Sequence, residues 1–108
     1  MLSEKTIKVM ISQPMNGKTT QQIANERKTI ADKLIKNHEG PIEVMDTTVE
    51  DHENKSSLQC FAESISFMDQ ADLVVMADGW QNARGCFIEN IIAIAYDKKI
   101  IYEKDLEK

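Results

Sequence analysis

Leu73-Val74-Val75-Met76 restricts this chain more than any other stretch. An unbroken apolar run, closed off by Asp72 and by Asp78 just past Ala77, is the pattern of a strand buried on both faces, as in a parallel sheet. Gly79-Trp80 follows, then a polar turn through Gln81 and Asn82, then Ala83-Arg84-Gly85. From Cys86 to Tyr96 almost every position is apolar, which predicts a helix with little surface facing water. Glu89 and Asn90 break the rule. A carboxylate near the start of a buried helix, just after a glycine-bearing loop, is costly to place. Glu89 is therefore the candidate centre of function.

The remaining chain supplies the neighbours such a strand needs. Lys5 to Ser12 carries Ile7, Val9 and Ile11 in alternation and reads as a first strand. Gln13-Pro14-Met15-Asn16-Gly17 ends it, since proline interrupts the ladder and Asn-Gly allows positive φ. Thr19 or Thr20 caps a helix in which Ile23, Ala24, Arg27, Ile30, Ala31, Leu34 and Ile35 recur at helical spacing. Gly40-Pro41 stops it, and Ile42 to Met45 is a short second strand. Asp46 to Ser57 is polar and aperiodic, a surface loop or flap. Leu58 to Met68 is a second amphipathic helix, with Leu58, Phe61, Ala62, Ile65 and Met68 on its packing face. Ile100-Ile101-Tyr102 closes the set as a last strand before a charged tail.

The alternation β-α-β-α-β-α-β argues for an α/β fold with helices on both faces of a parallel sheet of four to five strands. The expected arrangement is flavodoxin-like, in order 2-1-3-4, with the switch point between the first and third strands. Residues 13–17 and 78–85 then form two lips of one crevice at the carboxyl edge of the sheet, with Glu89 beside it.

Composition removes several classes. A chain of 108 residues fits one domain, 1–108. The net charge of −5 is dispersed, with no basic stripe for nucleic acid. No apolar run is long enough to span a membrane, and the first residues lack a signal-peptide core. Cys60 and Cys86 read as free buried thiols of a reducing cytoplasm, and their spacing suits no metal. Glu50, Asp51, His52 and Glu53 read as a solvated acidic loop, because hard-metal loops need a glycine turn and ordered spacing. His38 and His52 are expected to be exposed, and Asp72 to serve structure.

ISQPMNG at the front and ADGWQNARGCFIE at the back resemble the nucleoside 2-deoxyribosyltransferase-like superfamily, over nearly the whole chain and closest to its small bacterial and phage members. The resemblance implies cleavage of the N-glycosidic bond of a deoxynucleoside or deoxynucleotide, with transfer of the sugar to another base or to water. It implies Glu89 as nucleophile and no metal or organic cofactor. Ser64 stands where several members place an aspartate, and Ala83 where the nucleotide-hydrolysing branch carries a serine for the 5′-phosphate. Arg84 is then the candidate phosphate contact and Asp78 the candidate supporting acid.

The chemistry fits a carboxylate at position 89. Departure of a base builds positive charge at C1′, which an ionised, poorly hydrated carboxylate stabilises and can trap as an ester. The helix dipole would favour that charge by about 0.3–1 kcal/mol. Ser12, Gln13, Met15, Asn16, Gly79, Trp80, Arg84 and Gly85 are the candidate substrate-binding residues. Asp78 is equally readable as turn chemistry, and Trp80 either stacks on substrate or covers an interface. A non-catalytic nucleotide- or nucleotide-sugar-binding protein using the same crevice is the alternative reading. Phe87, Ile88, Ile91, Ile92, Ile94 and Ala95 wrap most of their helix, which predicts a homo-oligomer through that helix.

Overall fold

The computed structural model describes residues 5–47 and 49–107. Four strands, β1 (Ile7–Ser12), β2 (Ile42–Val44), β3 (Leu73–Met76) and β4 (Ile100–Tyr102), alternate with three helices, α1 (Thr20–Asn37), α2 (Ser57–Gln70) and α3 (Arg84–Ala95). All neighbouring strands pair in parallel, in the order β2-β1-β3-β4. This is the flavodoxin-like α/β arrangement expected from the alternation. The chain reverses its direction of travel across the sheet between β1 and β3, so their carboxyl ends flank the switch point.

Register between the two central strands is pinned at their start. The Asp72 carboxylate accepts the Lys8 N–H at 2.9 Å, while the Asp72 N–H donates to the Lys8 carbonyl at 2.8 Å. That bond, helped by nearby lysines, holds the Asp72 carboxyl below its ordinary value. Its role is structural. Val9 then faces Leu73, and Ser12 faces Met76 at the far end.

The apolar run of β3 is buried throughout, and its side chains feed two cores. On one face Ile30 and Leu34 of α1 meet Val9, Ile11, Leu73 and Val75. On the other, Met68 of α2 with Cys86 and Ala93 of α3 meet Met10, Val74 and Met76. Ser12 follows the alternation of Met10 and so points to the α2/α3 side.

Capping explains two helix starts. Thr19, not Thr20, is the N-cap of α1: its hydroxyl accepts the Gln22 N–H and the Gln22 side chain accepts the Thr19 N–H. Ser56 and Gln59 repeat the box at α2. In α3, Ala83 stands at the N-cap and offers no side-chain bond.

Several expectations need correction. The helix at the back begins at Arg84 rather than Cys86, and the polar turn before it is a short 3₁₀ helix, Trp80–Asn82. Leu58 is 76% exposed, because α2 rests on the sheet through Ile65, Phe67 and Met68 and its first turn stands beyond that contact. The charged tail forms a 3₁₀ helix, Glu103–Glu107, that buries Leu106 against the α1 core. His38 is half-buried, and its Nε2 has no hydrogen-bond partner. The His52 side chain lies outside the described residues.

The largest correction concerns α3. Its buried residues are Cys86, Glu89, Asn90 and Ala93, at helical spacing, whereas Phe87, Ile88, Ile91 and Ile94 face outward. The helix turns its polar residues inward and much of its apolar surface to water. Among the described residues no helix is long and apolar enough to cross a membrane.

Candidate active site

Ser12 is the last residue of β1 and Glu89 the sixth of α3, and the packing of α3 on the sheet brings them together. The Ser12 hydroxyl donates to Glu89 Oε1 at 2.5 Å, a short charge-assisted contact in a buried setting. Glu89 is 7% exposed and Ser12 3%. Among the described residues no bond occupies Oε2, which leaves one oxygen of the carboxylate to act on a ligand.

Burial pushes the Glu89 carboxyl above its ordinary value, and the Ser12 hydrogen bond works against that rise without cancelling it. Because α3 starts two residues early, Glu89 sits past its first turn, where the dipole's help has faded. Cys86 lies on the same buried line. Burial raises its thiol; a hydrogen bond with Ser12 lowers it, the charge of Glu89 raises it further and that of Lys18 lowers it.

The two lips meet. Gly79 adopts φ +87°, and a Cβ there would lie 3.6 Å from Pro14 Cγ, so the tryptophan turn lies close beside the proline turn. Trp80 is half-buried between two rings, 5.6 Å from Tyr102 and 6.5 Å from Phe87 by centroid. Gln13 is buried and spent on structure: its Nε2 donates to the Ile23 carbonyl and its Oε1 accepts from Arg27 Nε. Met15 and Asn16 are exposed on the front lip. Gly85 is half-buried, with room for a Cβ 3.9 Å from the Phe61 ring.

Two expected site residues are exposed, unlike the carboxylate. Asp78 is exposed at the end of β3, its N–H donating to Glu103 Oε1 at 2.9 Å. Arg84 is exposed at the start of α3, on the outward line that continues through Ile88 and Ile91. It makes no ion pair with Glu89, whose ionisation responds to burial and to Ser12 alone.

Other residues at this edge were missed. Asn90 is buried and donates to the Tyr102 hydroxyl at 3.0 Å, tying α3 to the end of β4. Lys18, paired with Glu26 at 2.9 Å, brings a positive charge to the mouth. Glu103 joins the Asp78 turn to Lys33 of α1. Asn90 adjoins Glu89 as a second polar residue in an apolar helix, which was the available signal; the others carry none in a single sequence.

A second depression, of ≈ 470 Å³, is lined by Asp46, Glu50, Lys55, Glu63 and Phe67 and shares no residue with this site. Lys55 and Glu63 pair across it at 2.6 Å. Among the described residues no group of three or more His, Cys, Asp or Glu side chains is placed to hold a metal ion.

No curated protein and no solved structure matches the chain. A family model matches residues 7–102, from the first strand to the last. The chain belongs to the family described as Domain of unknown function (DUF4406).

Proposed function

We propose that this chain cleaves, or transfers the sugar across, the N-glycosidic bond of a deoxynucleoside or deoxynucleotide, as an enzyme of the nucleoside 2-deoxyribosyltransferase-like superfamily. The observation that carries the reading is the sheltered Glu89 carboxylate at the switch point, held through one oxygen by Ser12 at 2.5 Å. In the reaction Glu89 Oε2 attacks C1′ and the bond to the base breaks. The base leaves with that electron pair and takes up a proton from a general acid, for which Asp78 is the candidate. Water or a second base then opens the glycosyl ester and restores the carboxylate.

The other residues take supporting roles. Ser12 positions the nucleophile. Met15, Asn16, Gly79, Trp80 and Gly85 line the two lips around the sugar and base. The N–H groups of Arg84, Gly85 and Cys86, uncapped at the start of α3, suit a 5′-phosphate. Two free thiols suit a cytoplasmic setting, and the outward residues of α3 suit a homo-oligomer.

One observation favours the second reading, a non-catalytic nucleotide-binding protein. A carboxyl raised by burial is less often ionised, and a protonated Glu89 donates a hydrogen bond rather than attacking carbon. Incubation with a panel of deoxynucleosides and their monophosphates separates the two. Release of free base that disappears in Glu89→Gln supports catalysis. A nucleotide that raises the melting temperature without base release establishes the binding reading instead.

A further inference from the structure

Ser12, Met76 and Tyr102 stand in register across β1, β3 and β4, at the carboxyl ends of the three strands. The outer two are one strand spacing each from Met76, which sets them roughly 10 Å apart. Both are bonded to α3, and to successive residues of it: Ser12 to Glu89, and Tyr102 to Asn90. Each pair leaves hydrogen-bonding capacity unused. Glu89 Oε2 and Asn90 Oδ1 have no partner among the described residues. The hydroxyl hydrogen of Tyr102 has none either, since the bond with Asn90 is one that the hydroxyl accepts.

These atoms are not sealed away. Among the described residues, the one side-chain atom that is both shut off from water and without a partner is His38 Nε2. Asn90 is 5% exposed, yet its Oδ1 keeps an opening, as Glu89 Oε2 does. An amide with its acceptor unbonded is a costly way to tie a helix to a strand, and apolar side chains would do that at no such cost. The unused groups are those a ligand can meet. They offer an acceptor, Asn90 Oδ1, and a donor, the Tyr102 O–H, on two side chains that touch. A hydroxyl group donates and accepts at once, so one hydroxyl satisfies both.

Stereochemistry says which hydroxyl. In a β-deoxynucleoside the base and the 3′-hydroxyl project from opposite faces of the furanose. A carboxylate that displaces the base from behind approaches the face away from it, which is the face that carries the 3′-hydroxyl. The Cα atoms of Glu89 and Asn90 are about 3.8 Å apart, so a furanose with C1′ at Glu89 Oε2 turns that hydroxyl towards the next residue of the helix. We propose that Asn90 and Tyr102 bind the 3′-hydroxyl of the deoxyribose, which donates to Asn90 Oδ1 and accepts from the Tyr102 O–H. The inference rests on the glycosidic reading above and adds the part of the sugar that the site reads. Trp80, 5.6 Å from Tyr102 by ring centroid, keeps the phenol in place from the tryptophan lip.

A 2′-deoxynucleoside and its 2′,3′-dideoxy counterpart, compared by kcat/KM for release of free base, test the contact. Tyr102→Phe keeps the ring against Trp80 and removes the hydroxyl alone. The preference for the deoxynucleoside should fall by about 10- to 100-fold in that variant. Differences in intrinsic reactivity between the two substrates cancel when the ratios of variant and wild type are compared. Asn90→Ser, assayed in the same way, decides the matter if Tyr102→Phe fails to fold. A bond that serves structure alone would slow both substrates alike, so an unchanged ratio in a folded variant overturns the proposal and leaves the glycosidic reading standing. Where the wild type binds nucleosides without releasing base, the same pair is compared by the rise in melting temperature. A larger rise with the deoxynucleoside that Tyr102→Phe abolishes supports the contact, and equal rises in the wild type overturn it. A wild type that neither cleaves nor binds any nucleoside overturns the glycosidic reading and this inference together.

Discussion

Burial sets the ionisation of Glu89, and the hydrogen bond from Ser12 Oγ to its Oε1 tempers it. Burial raises the proton affinity of Glu89 in the folded chain, so between the ordinary carboxylate value and the raised one the folded form holds more protons than the unfolded form. Stability must then fall as pH rises through that window, and stay lower above it. Glu89→Gln removes the ionising group. Its melting temperature should exceed the wild-type value at neutral pH, and the gap should close on acidification below the ordinary carboxylate range. Equal melting curves at neutral pH would remove burial as the cause. Ser12→Ala acts in the opposite sense. Loss of a hydrogen bond to a charged group costs about 1.5–3 kcal/mol, readable by denaturant titration. The Glu89 carboxyl should then titrate at still higher pH by carbon-13 NMR; an unmoved titration would leave Ser12 no positioning role.

Helix starts and helix facings behave differently as sequence signals. Thr19 with Gln22, and Ser56 with Gln59, satisfy local rules, and local rules can be read from a line of text. The facing of α3 cannot be read in that way. Periodicity assumes that apolar residues turn inward, and here the inward line is Cys86, Glu89, Asn90 and Ala93. The two polar members stood out as misfits in an apolar helix, and both are buried. What they did not reveal is that the misfit is the buried side and that Ile88, Ile91 and Ile94 are the exposed one. The missing cap on α3 has its own consequence. Ala83 already has extended backbone geometry, φ −109° and ψ 120°, so Ala83→Ser should supply a cap without rearrangement. A gain of about 0.5–2 kcal/mol in thermal or urea stability is expected. No gain would mean that the first-turn donors already have partners.

At the scale of the whole chain, the strand order was legible because alternation of strands and helices admits few parallel arrangements. The closure of the α1 side was not. Leu106 is one leucine in a run of charges, too short for any period, yet it is 6% exposed against Val9, Ile30 and Leu34. Its carbonyl accepts from Asn37 Nδ2, while Lys33 holds Glu103 a turn away. Leu106→Ala should lower stability by about 2–5 kcal/mol in urea, as for other buried leucines. A change far below that would mean the last turn contributes little to the core.

A cylinder with its greasy stripe turned outward has a rival seat in the collapsing chain. Rolled half a turn, α3 would set Ile88, Ile91 and Ile94 against Met10, Val74 and Met76 and lift its carboxylate into water. Two bonds, Ser12 to Glu89 and Asn90 to Tyr102, exist only in the native roll. They work as keys that tell the folding helix which way round to sit, so the same pair that shapes the crevice also guards against a tidy but wrong fold.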